Sequence, residues 1–287
     1  MPDAFSDHRE LLFSVVYNIL GSVADTEDVL QDTWLAWTRR EADEGAEPVE
    51  HPRAYLVRVA VNRALHQRAA ISRRRETYVG PWLPEPLVRP IEEDAAERAE
   101  SVSMALLVVL ETLTPLERAV FVLHEVFGYA HPEIAEMLGK TPAAVRQLAH
   151  RARESVHARR PRYEPDPRLR RQVTERFLDA ALGGNIDALL ELLAPEVTLW
   201  GDGGAQGAGG TKPMQGRVKV ARLIAAIAQR PGPGLRIAYR RTNGDPSALL
   251  LIGDDPYAVV VLDLAPEDGQ VTGIYVVANP EKLTNVG

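Results

Sequence analysis

Apolar residues recur at helical spacing early in the chain, whereas short apolar runs follow one another near its end. The early set consists of Leu11, Leu12, Val15, Val16, Ile19 and Leu20. Residues spaced in this way share one face of an α-helix. The late runs LRIAYRRT, ALLLIG, YAVVVLDL and QVTGIYVVA are separated by turn residues, which is typical of strands. The pattern therefore predicts helices first and a mixed α+β region last.

Prolines and charged runs divide this pattern into four segments. We expect a helical domain at 3–76, a proline-containing and acidic linker at 77–100, a second helical domain at 101–162 and a mixed domain at 167–287. The linker opens with YVGPWLPEP, in which three prolines disfavour a helix and make a poor strand. Its simplest interpretation is an extended segment whose Trp82 packs on a neighbouring domain.

The second helical domain contains the pattern of a helix-turn-helix. Pro132 begins a short helix, Gly139 ends it, and Thr141 and Pro142 begin a longer one. The packed seam is predicted to contain Ile134, Ala135, Leu138, Val145 and Leu148. The residues left to enter a DNA major groove are Ala143, Ala144, Arg146, Gln147, His150 and Arg151, with Arg153 and Arg159 nearer phosphate. An ordinary helical hairpin is the alternative interpretation.

An acid-faced helix is predicted in the first domain, over SVADTEDVLQDTWLAW. At 100° per residue, Asp25, Asp28 and Asp32 share one face, while the opposite face is expected to bury Leu30, Trp34 and Trp37. The next helix carries Arg58, Asn62 and Arg63, which could meet phosphates or unstacked bases. A row of acids is otherwise simply a solvated face.

Charge is distributed unevenly along the 287 residues. The formal net charge is -7, yet two basic stretches interrupt the acidic background. The first comprises Arg53, Arg58, Arg63, Arg68, Arg73, Arg74 and Arg75, and the second Lys140, Arg146, Arg151, Arg153, Arg159, Arg160 and Arg162. Two such stretches in helical segments favour a nucleic-acid partner.

Residue types that are missing from the sequence limit its chemistry and its location. There is no cysteine, and no apolar run is long enough for a signal peptide or a membrane span. We therefore expect a soluble cytoplasmic protein without a membrane partner. His131 and His150 have no partner at metal-ligand spacing, and no metal or cofactor is expected.

The order of these motifs resembles the extracytoplasmic-function class of sigma-70 factors. The resemblance rests on DTEDVLQDTWLAW, AYLVRVAVNRAL and LTPLERAVFVLHEVFGYAHPEIAEMLGKTPAAVRQLAHRARE, and it covers about the first 160 residues. It implies two all-α sigma domains: domain 2 at 3–76 and the helix-turn-helix domain 4 at 101–162. It also implies binding to the β′ clamp helices and β flap of core RNA polymerase, and to promoter DNA as a melted strand and as duplex. The chemistry would then belong to the polymerase, so the chain itself is not expected to be an enzyme.

Specific residues match the motifs of that class. Asp25, Asp28, Gln31 and Asp32 match the segment that binds the clamp, and Asn62 matches the asparagine that meets an extruded base. These roles are implied by the resemblance.

The last domain, which begins VTERFLDAALGGNIDALLELLAPEVTLWGDGG, resembles the SnoaL-like, nuclear-transport-factor-like α+β cone. Several enzymes share that fold, so a polyketide-cyclase-like enzyme fused to a regulator is one alternative. The domain contains no histidine. Its candidate acid–base or oxyanion groups would be Asp202, Asp245, Asp263, Tyr239 and Tyr275. A one-component regulator, with the cone sensing a small unknown ligand, is the other alternative.

Three short motifs occur together in the sigma subgroup that carries such an extension. They are the linker segment that contains Trp82 to Pro86, a DGG…K loop from Asp202 to Lys212, and the NPEKL motif from Asn279 to Leu283. The resemblance implies that the extension regulates the sigma domains from within and that no separate anti-sigma factor is required. The regulatory contacts are expected at Trp82, Leu83, Pro84, Asp202, Lys212, Asn279, Pro280, Lys282 and Leu283. The loop departs from the subgroup pattern, since it is interrupted as DGGAQGAGGTK.

Overall fold

The computed structural model describes residues 4–43, 45, 47–76, 78, 80–91, 102–158, 166–204, 212–228 and 234–286, with the backbone alone for 72–76. Residues 92–100 of the predicted linker lie outside this part of the chain. Contacts divide the chain into two compact units. Unit 1 consists of Met1–Glu76 and Val109–Pro161, and unit 2 of Thr77–Val108 and Arg162–Gly287. The described part of the linker therefore groups with the C-terminal domain.

Unit 1 is helical, as expected. The helices of the sigma region are, in chain order, α1 (Ala4–Leu20), α2 (Val23–Glu41), α3 (Pro52–Glu76), α4 (Met104–Leu110), α5 (Pro115–Phe121), α6 (His131–Leu138) and α7 (Pro142–His157). Helix α4 is divided between the units, since its residues up to Val108 group with unit 2. A π-helical turn, Val122–Val126, extends α5. No described helix has both the length and the apolar character that crossing a membrane requires.

The helix-turn-helix forms as its sequence predicts. Gly139 ends α6 with φ of 60°, a conformation that glycine adopts without a steric penalty. Thr141 then accepts a hydrogen bond from the backbone of Ala144, and Pro142 occupies the first turn of α7. The predicted seam residues are all buried between the helices: Ile134, Ala135, Leu138, Val145 and Leu148.

The buried face of α2 is rotated from its predicted position. Trp37 is buried, but Trp34 is 42% exposed and Asp25 only 6% exposed, so the expected burial of Trp34 and exposure of Asp25 are wrong. Thr26 and Thr33 are fully buried instead. A buried hydroxyl is tolerated here because each one donates a hydrogen bond to a backbone carbonyl four residues earlier. When both threonines are counted as core residues, the buried face of α2 is centred near Thr33, and Trp34 lies at the edge of that face.

Unit 2 is a mixed sheet with helices on one side. Its helices are α8 (Pro167–Leu182), α9 (Ile186–Leu192) and α10 (Arg217–Ala228), and a 3-10 turn spans Pro280–Lys282. The strands are β1 (Val88–Arg89), β2 (Leu193–Asp202), β3 (Met214–Gln215), β4 (Leu235–Thr242), β5 (Asp245–Ile252), β6 (Asp255–Leu264) and β7 (Val271–Val277). Their order is β1-β4-β5-β6-β7-β2-β3, and all neighbours are antiparallel except β2 and β7.

Four of these strands agree with the sequence pattern, and three were not anticipated. The runs assigned to β4, β5, β6 and β7 are confirmed. Strand β2 was missed because Pro195 and the glycines after Gly201 are typical of turns. Its pairing with β7 shifts register between Leu193 and Thr198, which accommodates the proline within a strand.

Both faces of the sheet are covered, which explains the continuous apolar run in β6. Val260 and Leu262 face the core formed with the helices, whereas Val259 and Val261 face a second core. The second core is closed by residues from the linker, the start of α4 and the chain's end: Leu83, Met104, Ala105, Leu283 and Val286. The linker is therefore part of the packed structure of unit 2.

A buried charge cluster joins the two halves of unit 1. Arg68 of α3 and Arg118 of α5 both donate to the carboxylate of Glu111, which follows α4. Arg118 is 0% exposed and also donates to the backbone carbonyl of Asn18, while Arg68 donates to that of Leu20. Burial lowers the pKa of Arg68 to about 10, and burial together with the Arg68 charge lowers that of Arg118. Glu111 is therefore the counter-ion on which this packing depends.

We predict that Glu111→Gln destabilises unit 1 by about 3 to 5 kcal/mol, because it leaves two buried guanidinium groups without their shared counter-ion. Chemical denaturation followed by circular dichroism measures this loss. Glu27→Gln is the matched control, since its ion pair with Arg9 is exposed and removing it should cost under about 1 kcal/mol. Equal effects of the two substitutions would contradict the prediction.

Candidate functional site

Most of the predicted DNA-reading side chains lie on the exposed face of α7. Ala143, Arg146, Gln147, His150 and Arg151 are exposed. Ala144 and Arg153 are half-buried. Residues 159, 160 and 162, the last basic positions of this stretch, lie outside the described residues. The face is therefore continuous and basic over two turns of the helix.

Two arginines of this face are oriented by acids of unit 1. Arg151 Nε lies 2.8 Å from Glu117 Oε1, and Arg153 Nε lies 2.6 Å from Glu125 Oε1. Burial raises the pKa of Glu117, but hydrogen bonds from Arg151 and Thr114 outweigh it and lower the pKa overall. The carboxylate thus stays ionised and holds Arg151 in place. Arg146 forms no ion pair within the part of the chain that the structure describes, and it is exposed to solvent.

Three of the four predicted clamp-binding residues are presented together on α2. Asp28, Gln31 and Asp32 are exposed, and Asp32 Oδ2 lies 3.2 Å from Arg63 Nη1. Asp25 is instead buried, and its carboxylate accepts a hydrogen bond of 2.8 Å from Gln67 of α3. The exposed acidic surface is consequently smaller than the sequence suggests.

Asn62, the predicted base-binding residue of α3, contacts the helix-turn-helix. Its side-chain amide donates 2.8 Å to the carbonyl of Arg58 and 2.9 Å to the carbonyl of Met137 in the last turn of α6. Arg58 is exposed, with its guanidinium 5.6 Å from the ring centre of Tyr55. Since Asn62 and Met137 are 75 positions apart, sequence periodicity gives no signal of this contact.

The linker segment 78–86, which we call the strap, is bound through one carboxylate of unit 2. Asp202, at the end of β2, accepts hydrogen bonds from the Tyr78 hydroxyl and, at 2.8 Å, from the backbone of Leu83. Its Oδ2 also lies 2.7 Å from Lys282 Nζ, which in turn donates 2.6 Å to the carbonyl of Leu83. We call Asp202 and Lys282 the strap anchor. It joins three segments that are far apart in sequence.

Aromatic rings of the strap enclose the lysine of the anchor. Lys282 Nζ lies 3.6 Å from the ring centre of Trp82, close enough for a cation–π interaction. Tyr78 and Trp82 meet edge to face at 4.6 Å. Burial and the neighbouring Asp202 raise the pKa of Tyr78, so its hydroxyl remains a donor. Pro84 is buried, and Leu83 is 1% exposed in the second core beside Leu283.

Local backbone geometry brings the anchor together. The parallel pairing of β2 with β7 sets Asp202 beside Val277, and the backbone of Ala278 donates 2.7 Å to the carbonyl of Asp202. Asn279 then caps the 3-10 turn that contains Pro280 and Lys282, and its amide donates 2.8 Å to the Tyr78 oxygen. The NPEKL motif thus forms the turn that places Lys282 beside Asp202 at the end of β2.

Gly204 is required by this arrangement. Its φ is 63°, and a Cβ at this position would lie 2.8 Å from Asn279 Cγ. A larger residue would therefore displace the cap, which explains one glycine of the DGG motif.

The strap continues as an edge strand of the sheet. Leu87 and Asn243 exchange hydrogen bonds, and β1 pairs with β4 so that Val88 lies opposite Thr242. Glu85 accepts a hydrogen bond of 3.2 Å from Asn285. The strap is consequently held along its length by unit 2.

Among the described residues, Lys212 takes no part in the hydrogen bonds and ion pairs of the strap anchor. It is exposed and lines a cavity of about 350 Å³ between the sheet and helices α8 and α10. Residues 205–211 of its loop lie outside the described residues. The cation that reaches Asp202 is Lys282. The regulatory contact expected of Lys212 stays a prediction. Tyr78 was not among the residues predicted for this site, although its hydroxyl donates to Asp202. The sequence offered one sign of this role, which is that an aromatic residue stands at the start of the strap.

The groups considered for acid–base chemistry are dispersed. Asp245 pairs with Arg170, and Tyr275 stacks on Trp200 at 4.9 Å. Burial raises the pKa of Tyr239, and the negative charges of Asp179 and Glu175 raise it further. Asp263 lies half-buried on β6. Of the five candidates, Asp202 lines the cavity of about 350 Å³.

We predict that Lys282→Met releases the strap, because it leaves Asp202 buried without its counter-ion. Deuterium exchange of a peptide covering residues 78–86 should accelerate by about tenfold or more, given the cost of an unpaired buried charge. Lys219→Met, on the exposed surface of α10, is the matched control and should leave exchange unchanged. Unchanged exchange in Lys282→Met would show that the anchor does not hold the strap.

Comparison with known proteins places these features in a family. Models of sigma-70 region 2 and sigma-70 region 4 match residues 4–75 and 103–156. The chain is 37% identical to the ECF RNA polymerase sigma factor SigJ of Mycobacterium tuberculosis, over 98% of this chain and 92% of that protein. It is 30% identical to the probable ECF RNA polymerase sigma factor SigI of the same species, over 98% and 93%.

A solved structure agrees over the same length. The crystal structure of Mycobacterium tuberculosis SigJ superimposes with a TM-score of 0.77 at 35% identity, covering 98% of this chain and 97% of that one. Two helical sigma domains and a C-terminal domain of mixed helices and sheet are therefore confirmed. The chain belongs to the extracytoplasmic-function family of RNA polymerase sigma-70 factors.

Proposed function

We propose that this sigma factor is restrained from within by its C-terminal unit, which acts through the strap. The observation that supports the proposal is the strap anchor, in which Asp202 and Lys282 bind the segment between the two sigma domains. Membership of the family implies core RNA polymerase and promoter DNA as partners. The chain then selects promoters, and the polymerase performs the chemistry.

Strap docking fixes both ends of the linker. Tyr78 and Leu83 are bound at one end, and Met104 and Ala105 lie in the same second core at the other. If released, the 27 residues from 77 to 103 could span about 90 Å. A sigma factor that reads two separate promoter elements needs its two domains apart, so a fixed linker opposes promoter binding.

The contact of Asn62 supports the same restrained state. While its amide is bound to the carbonyl of Met137, the side chain is not available to an extruded base. Binding a melted strand therefore requires domain 4 to leave domain 2 and exposes the cluster formed by Arg68, Glu111 and Arg118. The restrained and open states differ in defined contacts, as a two-state switch requires.

Core polymerase is the partner that would favour the open state. Asp28, Gln31 and Asp32 offer it an exposed acidic surface, and we assign Asp25 to holding the start of α2 through Gln67. Trp82 is half-buried in the docked strap, and partial burial of an aromatic side chain contributes about 1 to 2 kcal/mol. This is enough to bias the equilibrium strongly, yet polymerase binding can reverse it.

We predict that releasing the strap increases transcription. In run-off assays with purified core polymerase at limiting sigma factor, Lys282→Met and Trp82→Ala should each yield several-fold more transcript than the unaltered chain, because the open state becomes more populated. A version ending at residue 160 tests whether the extension also supports activity, in which case it would yield less transcript than the point variants.

Lys219→Met serves as the control in the same assay and should behave as the unaltered chain. Unaltered transcript levels in both strap variants would contradict internal restraint. A failure of every form to bind core polymerase or to start transcription would instead contradict a role as an initiation factor and favour a DNA-binding regulator that works alone.

We predict that Arg146→Ala weakens promoter binding by roughly 1 to 3 kcal/mol, because Arg146 is exposed on α7 and suited to a base edge. Fluorescence anisotropy on promoter and unrelated duplexes, with the version ending at residue 160, measures the loss. A loss of equal size on both duplexes would assign Arg146 to phosphate.

A further inference from the structure

The cavity of unit 2 has the size and lining of a small-molecule site. Its volume is about 350 Å³, and pockets for small ligands begin at roughly 300 Å³. Its walls are apolar side chains from α8, α10 and the facing strands, including Phe177, Leu199, Ile224, Leu250 and Val260. A ligand with an apolar body is therefore favoured.

Two charged residues line the cavity, and they differ in what they can offer a ligand. The carboxylate of Asp202 has no exposed surface and is bound by the strap and Lys282. Lys212 is exposed, and no ion pair is recorded for it among the described residues. Among the described residues that line the cavity, the charge available to a ligand is therefore the positive charge of Lys212.

We propose that this cavity binds a hydrophobic carboxylic acid, with its apolar chain between the sheet and the helices and its carboxylate at Lys212. An apolar amine would place a cation beside Lys212, and an alcohol would lose the ion pair. Asp202 and Lys212 are the two ends of the DGG…K motif, and both line the cavity, while Asp202 also binds the strap.

Cavity and strap share the end of β2. Gly201 and Asp202 line the cavity, while the Asp202 carboxylate holds the strap. A ligand that packs against this strand end favours the docked strap, because a ligand stabilises the state that it binds. This link to the strap rests on the proposed function, whereas binding of the acid does not.

The test is calorimetric titration of the full chain with decanoate, decanol and decylamine below their aggregation concentrations. Decanoate should bind about fivefold more tightly than decanol, as an exposed ion pair allows, and decylamine most weakly. Lys212→Met should make the acid and the alcohol equal. Equal affinities in the unaltered chain, or no saturable binding of any probe, overturn the proposal.

A second variant tests whether the ligand binds inside this cavity. Ala258→Phe fills the cavity from β6 and should weaken every probe by about tenfold or more, with circular dichroism to verify folding. Unchanged affinity in a folded Ala258→Phe variant would place binding elsewhere and overturn the assignment. If that variant does not fold, the Lys212→Met comparison decides, because Lys212 is exposed.

The link to the strap has its own measurement. Saturating decanoate should slow deuterium exchange of residues 78–86 by the factor that mass action gives, about tenfold when the acid is at ten times its Kd. Binding without slower exchange overturns the link. Neither result depends on transcription, so a failure of the proposed function is separable from a failure of this site.

Discussion

The packing of the strap on the C-terminal unit depends on the buried ion pair between Asp202 and Lys282. Asp202 has no exposed side-chain surface, and a carboxylate in such a place is tolerated only when hydrogen bonds and a counter-ion compensate its lost hydration. Lys282 supplies the charge, and Tyr78 and Leu83 supply hydrogen bonds from the strap. The strap is therefore required for the folded strand end as much as the strand end is required for the strap.

A second buried charge cluster plays the corresponding part among the helices. Glu111 is shared by Arg68 and Arg118, which come from the two sigma domains of the family. Pairs of this kind contribute little net stability compared with apolar packing, but they permit few alternative arrangements. The Asp202 pair in unit 2 and the Glu111 cluster in unit 1 therefore each favour one defined packing of the segments that they join.

Local sequence rules predicted much of the fold and part of the site. The helix-turn-helix followed from Gly139, Thr141 and Pro142, since caps and turns depend on neighbouring residues. Strands β4 to β7 followed from their apolar runs. The face of α2 was misplaced because buried threonines look polar in a sequence, although each satisfies its hydroxyl within its own helix.

The sequence by itself determined where the two helices of the helix-turn-helix begin and end, where the proline-containing strap lies, and which face of α7 is exposed, because these depend on interactions among near neighbours. Tertiary structure decided which lysine meets Asp202. Lys212 is nearer in the chain, but the parallel pairing of β2 with β7 brings Lys282 beside the carboxylate. It likewise decided that Asn62 contacts Met137. Such contacts depend on strand order and helix packing, which no local pattern of residues encodes.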